Sequence, residues 1–195
     1  MKTKFAIFSK LATIAVAVAI SSVNIIGIAR AQTDTSIGSN PHLRSASAPT
    51  QAATSKKMSQ KDVNFIQKAA SGGAQEVANG KMAERQAKSA EVKTIAARIV
   101  ADHTRINKEL TSLANPKGVT FDTSGVKAQN LGSGNFDGLY LKWLELIHKA
   151  DIAEFEKAAR GADDSDLRAW ASKTLPTLKE HLAMAENAGK KMGVR

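Results

Sequence analysis

Four stretches of the chain repeat apolar residues at helical spacing, and each carries a polar residue where an apolar one is expected. At ~100° per residue, Val92, Ala96, Ile99, Ile106, Leu110 and Ala114 fall on one side of a helix. Leu141, Leu144, Ile152, Phe155 and Ala159 form a second stripe, and Leu167, Trp170, Leu178, Ala185 and Ala188 a third. Phe65, Ala69, Ala83 and Ala87 outline a weaker one upstream. No alternating strand pattern competes with them.

The ends of these helices are written in capping chemistry. Ser59 followed by Asp62 opens helix 1, which extends to about Lys88 with Gly72 and Gly73 tolerated inside it. Ser89 can cap helix 2, which Pro116 and Gly118 stop near Asn115. After a Gly- and Ser-punctuated connection, helix 3 covers about Asn135 to Arg160 and ends at Gly161. Asp164 or Ser165 begins helix 4, which reaches about Lys190. Pro176 lies inside helix 4 and should kink or split it, since it lacks the N–H of one helical hydrogen bond.

The predicted fold is all-α: a four-helix bundle over residues 59–190, with a short basic tail at 191–195. Helices of ~26 residues span ~39 Å. Helices 1–2 and 3–4 are joined tightly, as antiparallel hairpins. The 2–3 connection is long enough to cross the whole bundle, as in ferritin-like topology, but an up-down-up-down arrangement also fits.

The segment before the bundle reads as an address and a spacer. Residues 1–31 begin with Lys2, Lys4 and Lys10, continue through an apolar run from Leu11 to Ile28, and end at Ala29-Arg30-Ala31. That is the layout of a cleavable signal peptide, with Gln32 as the new N-terminus; the rival is an uncleaved membrane anchor. Residues 32–58, rich in Ser, Thr, Ala and Pro, read as a disordered linker. His42, within it, reads as a solvated loop residue.

Composition narrows the chemistry. The chain lacks Cys, which excludes disulfides, thiolate sites, a Cys nucleophile and a lipid-bearing N-terminal Cys. The formal charge of +10 falls to 10 − 4 = +6 once Lys2, Lys4, Lys10 and Arg30 are removed with the leader. No nucleic-acid motif accompanies that charge, so the expectation is no nucleic acid, no membrane span in the mature chain, and at most weak contact with anionic envelope surfaces. Phosphate loops, nucleophile elbows and His-Glu-x-x-His motifs are absent, and no enzyme class is indicated.

The polar intrusions carry the candidate chemistry. His103, His148 and His181 stand near the middle of the stripes of helices 2, 3 and 4, and Glu76 lies on the core arc of helix 1. Glu76 and His103 are 13 and 14 residues from Ser89, so all four can meet at one level. Three imidazoles and a carboxylate suit Zn, Fe, Cu or Ni, with Asp102, Asp137, Glu145 and Asp151 as an outer shell. The competing expectation is a metal-free hydrogen-bond network that fixes helix register, as in an envelope interaction or stress protein.

The runs DVNFIQKAASGGAQEVANGKMAERQA, VKTIAARIVADHTRINKELTSLA, FDGLYLKWLELIHKADIAEFEKAA and LPTLKEHLAMAE together resemble the bacterial family called domain of unknown function 4142. The Asp-His of helix 2 and the Leu-Pro…His of helix 4 are its more specific marks. The resemblance covers about residues 59–190 and implies a ferritin-like fold and an exported location. It also implies that Glu76, Asp102, His103, His148 and His181 occupy the family's characteristic polar positions. Members are often labelled predicted outer membrane proteins, yet the chain has no β-barrel pattern. The second Glu-x-x-His of di-iron ferritins is missing, since Val100 and Leu178 precede His103 and His181 at that spacing.

Overall fold

The computed structural model describes residues 57–194. The leader at 1–31 and all but the last two residues of the 32–58 segment lie outside the described residues, as does His42. Four helices make up the fold: α1 (Gln60–Gln86), α2 (Ala90–Ala114), α3 (Phe136–Gly161) and α4 (Ser165–Lys191). A 3-10 turn at Asn115–Lys117 follows α2, and no strand occurs among the described residues.

The helix ends follow from local chemistry. The Ser59 hydroxyl accepts from the Asp62 N–H at 3.3 Å, and the Asp164 carboxylate accepts from the Leu167 N–H at 2.9 Å. Ser89 occupies the N-cap position of α2 but makes no side-chain cap bond. After Pro116 the chain turns at Gly118, whose φ of +73° is the left-handed conformation that favours glycine. Of the basic tail, Lys191 closes α4, and Met192, Gly193 and Val194 after it donate back to the carbonyls of Ala188, Lys190 and Gly189. Met58, assigned by its sequence context to the linker, is buried in the core. α4 runs unbroken through Pro176, so the helix is not split there.

Hydrogen bonds along its course settle the topology of the 2–3 connection. Lys117 leaves α2 bound to Asp164 and Asp166 at the start of α4, at 2.7 and 2.8 Å. Farther on, Gln75 donates to the Lys127 carbonyl, and the Gln129 N–H donates to Asn79. The connection enters α3 beside the α1–α2 turn, where Asp137 accepts from Lys88 N–H (2.9 Å) and Ser89 N–H (2.7 Å). It therefore crosses the full length of the bundle, and the up-down-up-down alternative is excluded.

A reciprocal arrangement closes the opposite end. Asp62, in the first turn of α1, accepts from the N–H groups of Asp163 and Asp164 at 3.1 and 2.8 Å. Each hairpin thus uses one buried aspartate to hold the turn of the other. Replacing Asp62 or Asp137 with Ala strands two backbone donors and should cost about 2 kcal/mol each in urea unfolding. Unchanged unfolding midpoints in both variants would exclude the clamps.

The core has two apolar clusters. One contains Ile66, Ile106, Leu110, Phe155, Leu167 and Trp170. The other contains Ala83, Val92, Ile99, Tyr140, Leu144 and Ala185. On every helix the polar intrusion stands between members of the two clusters. α1 is rotated slightly from the expected face: it buries Ile66, Ala70, Gly73 and Glu76, while Phe65 and Ala69 flank the stripe half-buried. Gly73 permits a close approach, since a Cβ there would collide with Asn107 Oδ1.

Candidate metal centre

Glu76, His103, His148 and His181 meet in the middle of the bundle, each less than 4% exposed. One ligand atom from each of the three histidines can be chosen so that all lie within 4.8 Å of one another. Glu76 bridges two of the rings, with Oε2 2.9 Å from His103 Nδ1 and Oε1 3.3 Å from His148 Nε2. His148 Nε2 also faces His181 Nδ1 at 3.1 Å. The ring centroids are 5.1 to 5.7 Å apart.

The outer partners fix the protons on two of these rings. His148 Nδ1 lies 3.0 Å from the Leu144 carbonyl oxygen, which only accepts, so Nδ1 is the N–H and Nε2 a lone pair. His181 Nε2 lies 3.0 Å from Asp102 Oδ2 and donates to it, leaving Nδ1 as its lone pair. Arg98 and Arg105 hold Asp102 from the other side. Burial alone would raise the Asp102 carboxyl, but bonds from His181, Arg98 and Arg105 outweigh it and hold it at about 2.

Two lone pairs therefore point at each other across 3.1 Å. Turning either ring to its other tautomer only moves the mismatch, to the Leu144 carbonyl or to Asp102. Protonating a ring would resolve it, but burial drives His103, His148 and His181 down to about 4 each, against the opposing pull of neighbouring carboxylates. Burial raises the Glu76 carboxyl to about 7, against the pull of His148. A proton on Glu76 can satisfy His103 or His148, but it leaves the His148–His181 contact unchanged. His103 Nε2 is buried with no hydrogen-bond partner.

The expected outer shell is only partly gathered. Asp102 supports His181, and Asp151 lines a small cavity beside His103 and Glu76. Burial, reinforced by Glu76, raises Asp151 to about 7. Asp137 is elsewhere, on the α1–α2 turn: it shares the His148 side of α3 but lies 11 residues away, ~16 Å along the axis. Glu145 is also apart, paired with Lys149 on the half-exposed flank of α3. Its i, i+3 spacing to His148 does not make the two residues a ligand pair.

Sequence reasoning missed Asn79, Asn107 and Tyr140. Asn79 is fully buried one turn beyond Glu76, and Asn107 one turn beyond His103. That i+3 or i+4 continuation of a polar position was the available signal. Tyr140 is fully buried with an unpartnered hydroxyl, and burial raises its pKa. Nothing in the stripe of α3 distinguishes it from an ordinary core aromatic.

Among the described residues no helix is long and apolar enough to cross a membrane. No curated protein matches the chain significantly. Among solved structures, a conserved hypothetical protein, Rv2844, from Mycobacterium tuberculosis aligns with a TM-score of 0.59 at 12% identity, covering 67% of this chain and 91% of that one. A DUF305 fragment from Deinococcus radiodurans aligns with a TM-score of 0.58 at 11% identity, covering 70% of this chain and 99% of that one. At such identities the likeness is one of fold. The model of the domain of unknown function DUF4142 matches residues 47–188, most of the chain, and the protein belongs to that family.

Proposed function

We propose that this is an exported metal-holding protein whose mid-bundle cluster binds one transition-metal dication through His103, His148, His181 and Glu76. The observation that carries the reading is the facing pair of lone pairs on His148 Nε2 and His181 Nδ1, 3.1 Å apart. Two imidazole nitrogens on a tetrahedral ion, at ~2.0–2.1 Å each, stand ~3.3 Å apart. A cation between them turns the mismatch into two bonds. Neutral imidazoles with a carboxylate suit Zn, Cu, Ni or Fe rather than Ca or Mg, which prefer oxygen cages. The Asp102–His181 and Leu144–His148 bonds are the outer contacts that orient ligating histidines. The basic leader, apolar run and Ala29-Arg30-Ala31 support export.

Elemental analysis of protein purified from its native compartment, paired with calorimetric titration of the metal-free chain, tests this reading. The expected result is about one ion per chain, with His103→Ala and His148→Ala each binding at least ~10-fold more weakly. A metal-free preparation that also takes up none of the four metals would assign the cluster to structure alone.

A further inference from the structure

We propose that the small cavity between α1, α2 and α3 beneath Gly72 is the port through which a metal cation reaches the histidines, with Asp151 and Asn107 as its outer oxygen ligands. The inference rests on the metal reading and adds a route and two residues to it. Gly72, Gly73, Glu76, His103, Asn107 and Asp151 line this cavity, whose volume of about 10 Å³ is on the order of one water molecule. Its inner wall includes Glu76 and His103 of the cluster. Its outer residues, Gly72, Asn107 and Asp151, are all partly exposed, so it spans the layer between solvent and ligands.

The polar part of the lining, set beside the apolar Ala69, Ile106, Phe155 and Leu178, is chemically one-sided. His103 is nine-tenths buried, and its Nε2 has no partner; Asn107 Oδ1 is likewise buried without a hydrogen bond. With the Asp151 carboxylate these are oxygen and nitrogen acceptors gathered around one space. A cation is what such a lining attracts.

The opposite approach to the cluster is guarded by charge of the wrong sign. There, Asp102 is covered by the Arg98 and Arg105 guanidinium groups. A dication would have to pass both, whereas the nearest cation on the Asp151 side, Lys68, is paired with Glu154 at 3.6 Å. Gly72 stands at the mouth of the port. A Cβ there would meet nothing within 4 Å, so the position accepts a side chain without clash. Gly73 differs, because its missing Cβ is what lets Asn107 reach in.

The test uses the mature chain stripped of metal, with Zn²⁺ as the probe and a chromogenic chelator reporting uptake and release. Gly72→Leu should slow both by about 10-fold or more with Kd changed by less than ~3-fold, since a plugged path alters rates and not the end states. Asp151→Asn should slow uptake by ~10-fold through loss of local attraction for the cation. Ala101→Leu, exposed on α2 outside the cavity lining, should leave the rates alone. Thermal melts of each variant establish that the fold is kept, and Gly72→Ala provides a milder plug. Zn²⁺ bound one per chain at parental rates in both Gly72→Leu and Asp151→Asn would overturn the port while leaving the metal centre standing. Failure of the parent chain to take up Zn²⁺ would overturn both.

Discussion

Metal-free protein is expected to melt about 10 °C higher once a fitting dication is added. A ligand that binds only the folded state adds ~4 kcal/mol at ~1,000 times its dissociation constant. At ~2–4 °C per kcal/mol for a domain of this size, that gives the stated rise. His148→Ala should abolish most of it, because His148 Nε2 faces both His181 and Glu76. The contrast lies in the response to metal rather than in the starting stability, which loss of a buried side chain lowers in any case. A purely structural cluster predicts that parent and variant respond to metal alike, and not at all. Scanning calorimetry with Zn²⁺, Fe²⁺, Cu²⁺ and Ni²⁺ in turn decides it: no shift beyond ~2 °C with any of them would sink the site.

Metal affinity should depend on pH with an unusual slope. With Glu76 titrating at about 7 and the three histidines at about 4, Glu76 is the only one of the four ligands that still holds a proton between those values. The metal competes with that single proton. Affinity is therefore lowest in acid, rises ~10-fold per pH unit from about 4 to about 7, and levels off above, where Glu76 is already ionised. Between pH 5 and pH 7 the gain is about 50-fold, since half of Glu76 is still protonated at pH 7. A site of three ordinary histidines at ~6.5 with an ordinary glutamate would behave differently, losing up to three protons per ion below pH 6.5. Titrations in buffers of different ionisation enthalpy count the protons released. Close to one at pH 5.5 supports the buried arrangement, and two or three would show that the imidazoles remain solvated.

Much of this could be read from residue order, for identifiable reasons. The stripes of α2 and α4 contain enough large apolar residues to leave one possible inward face, and His103 and His181 fell on it. Capping chemistry located Ser59 and Asp164 because those positions depend only on neighbouring residues. α1 was harder. Alanines at 69, 70, 74, 78, 83 and 87 occur on several sides, so small residues do not choose a face, and Ile66 and the Gly73–Asn107 contact had to decide it. Asp137 was misplaced for another reason. A helical stripe reports direction but not level, and three turns separate Asp137 from His148. The crossover could not be chosen from loop length alone, because a long connection can fold back on itself as readily as span the bundle. The unbroken α4 at Pro176 is likewise a result of packing, since His181, Leu178 and Thr174 anchor the helix on both sides of the ring.

The aspartate clamps divide the molecule in an instructive way. Asp62 belongs to one hairpin and secures the turn of the other, and Asp137 returns the favour. Glu76 and His103 come from the first hairpin, His148 and His181 from the second. The protein is thus organised like a two-subunit assembly whose halves happen to share one chain, with the crossover as tether. A cation held by two residues from each half would act as a rivet across that seam. Neither half holds more than two of the four ligands, so strong capture has to wait until the halves have docked. Metal occupancy would then report completed assembly, and a half-folded chain could not seize the ion too early.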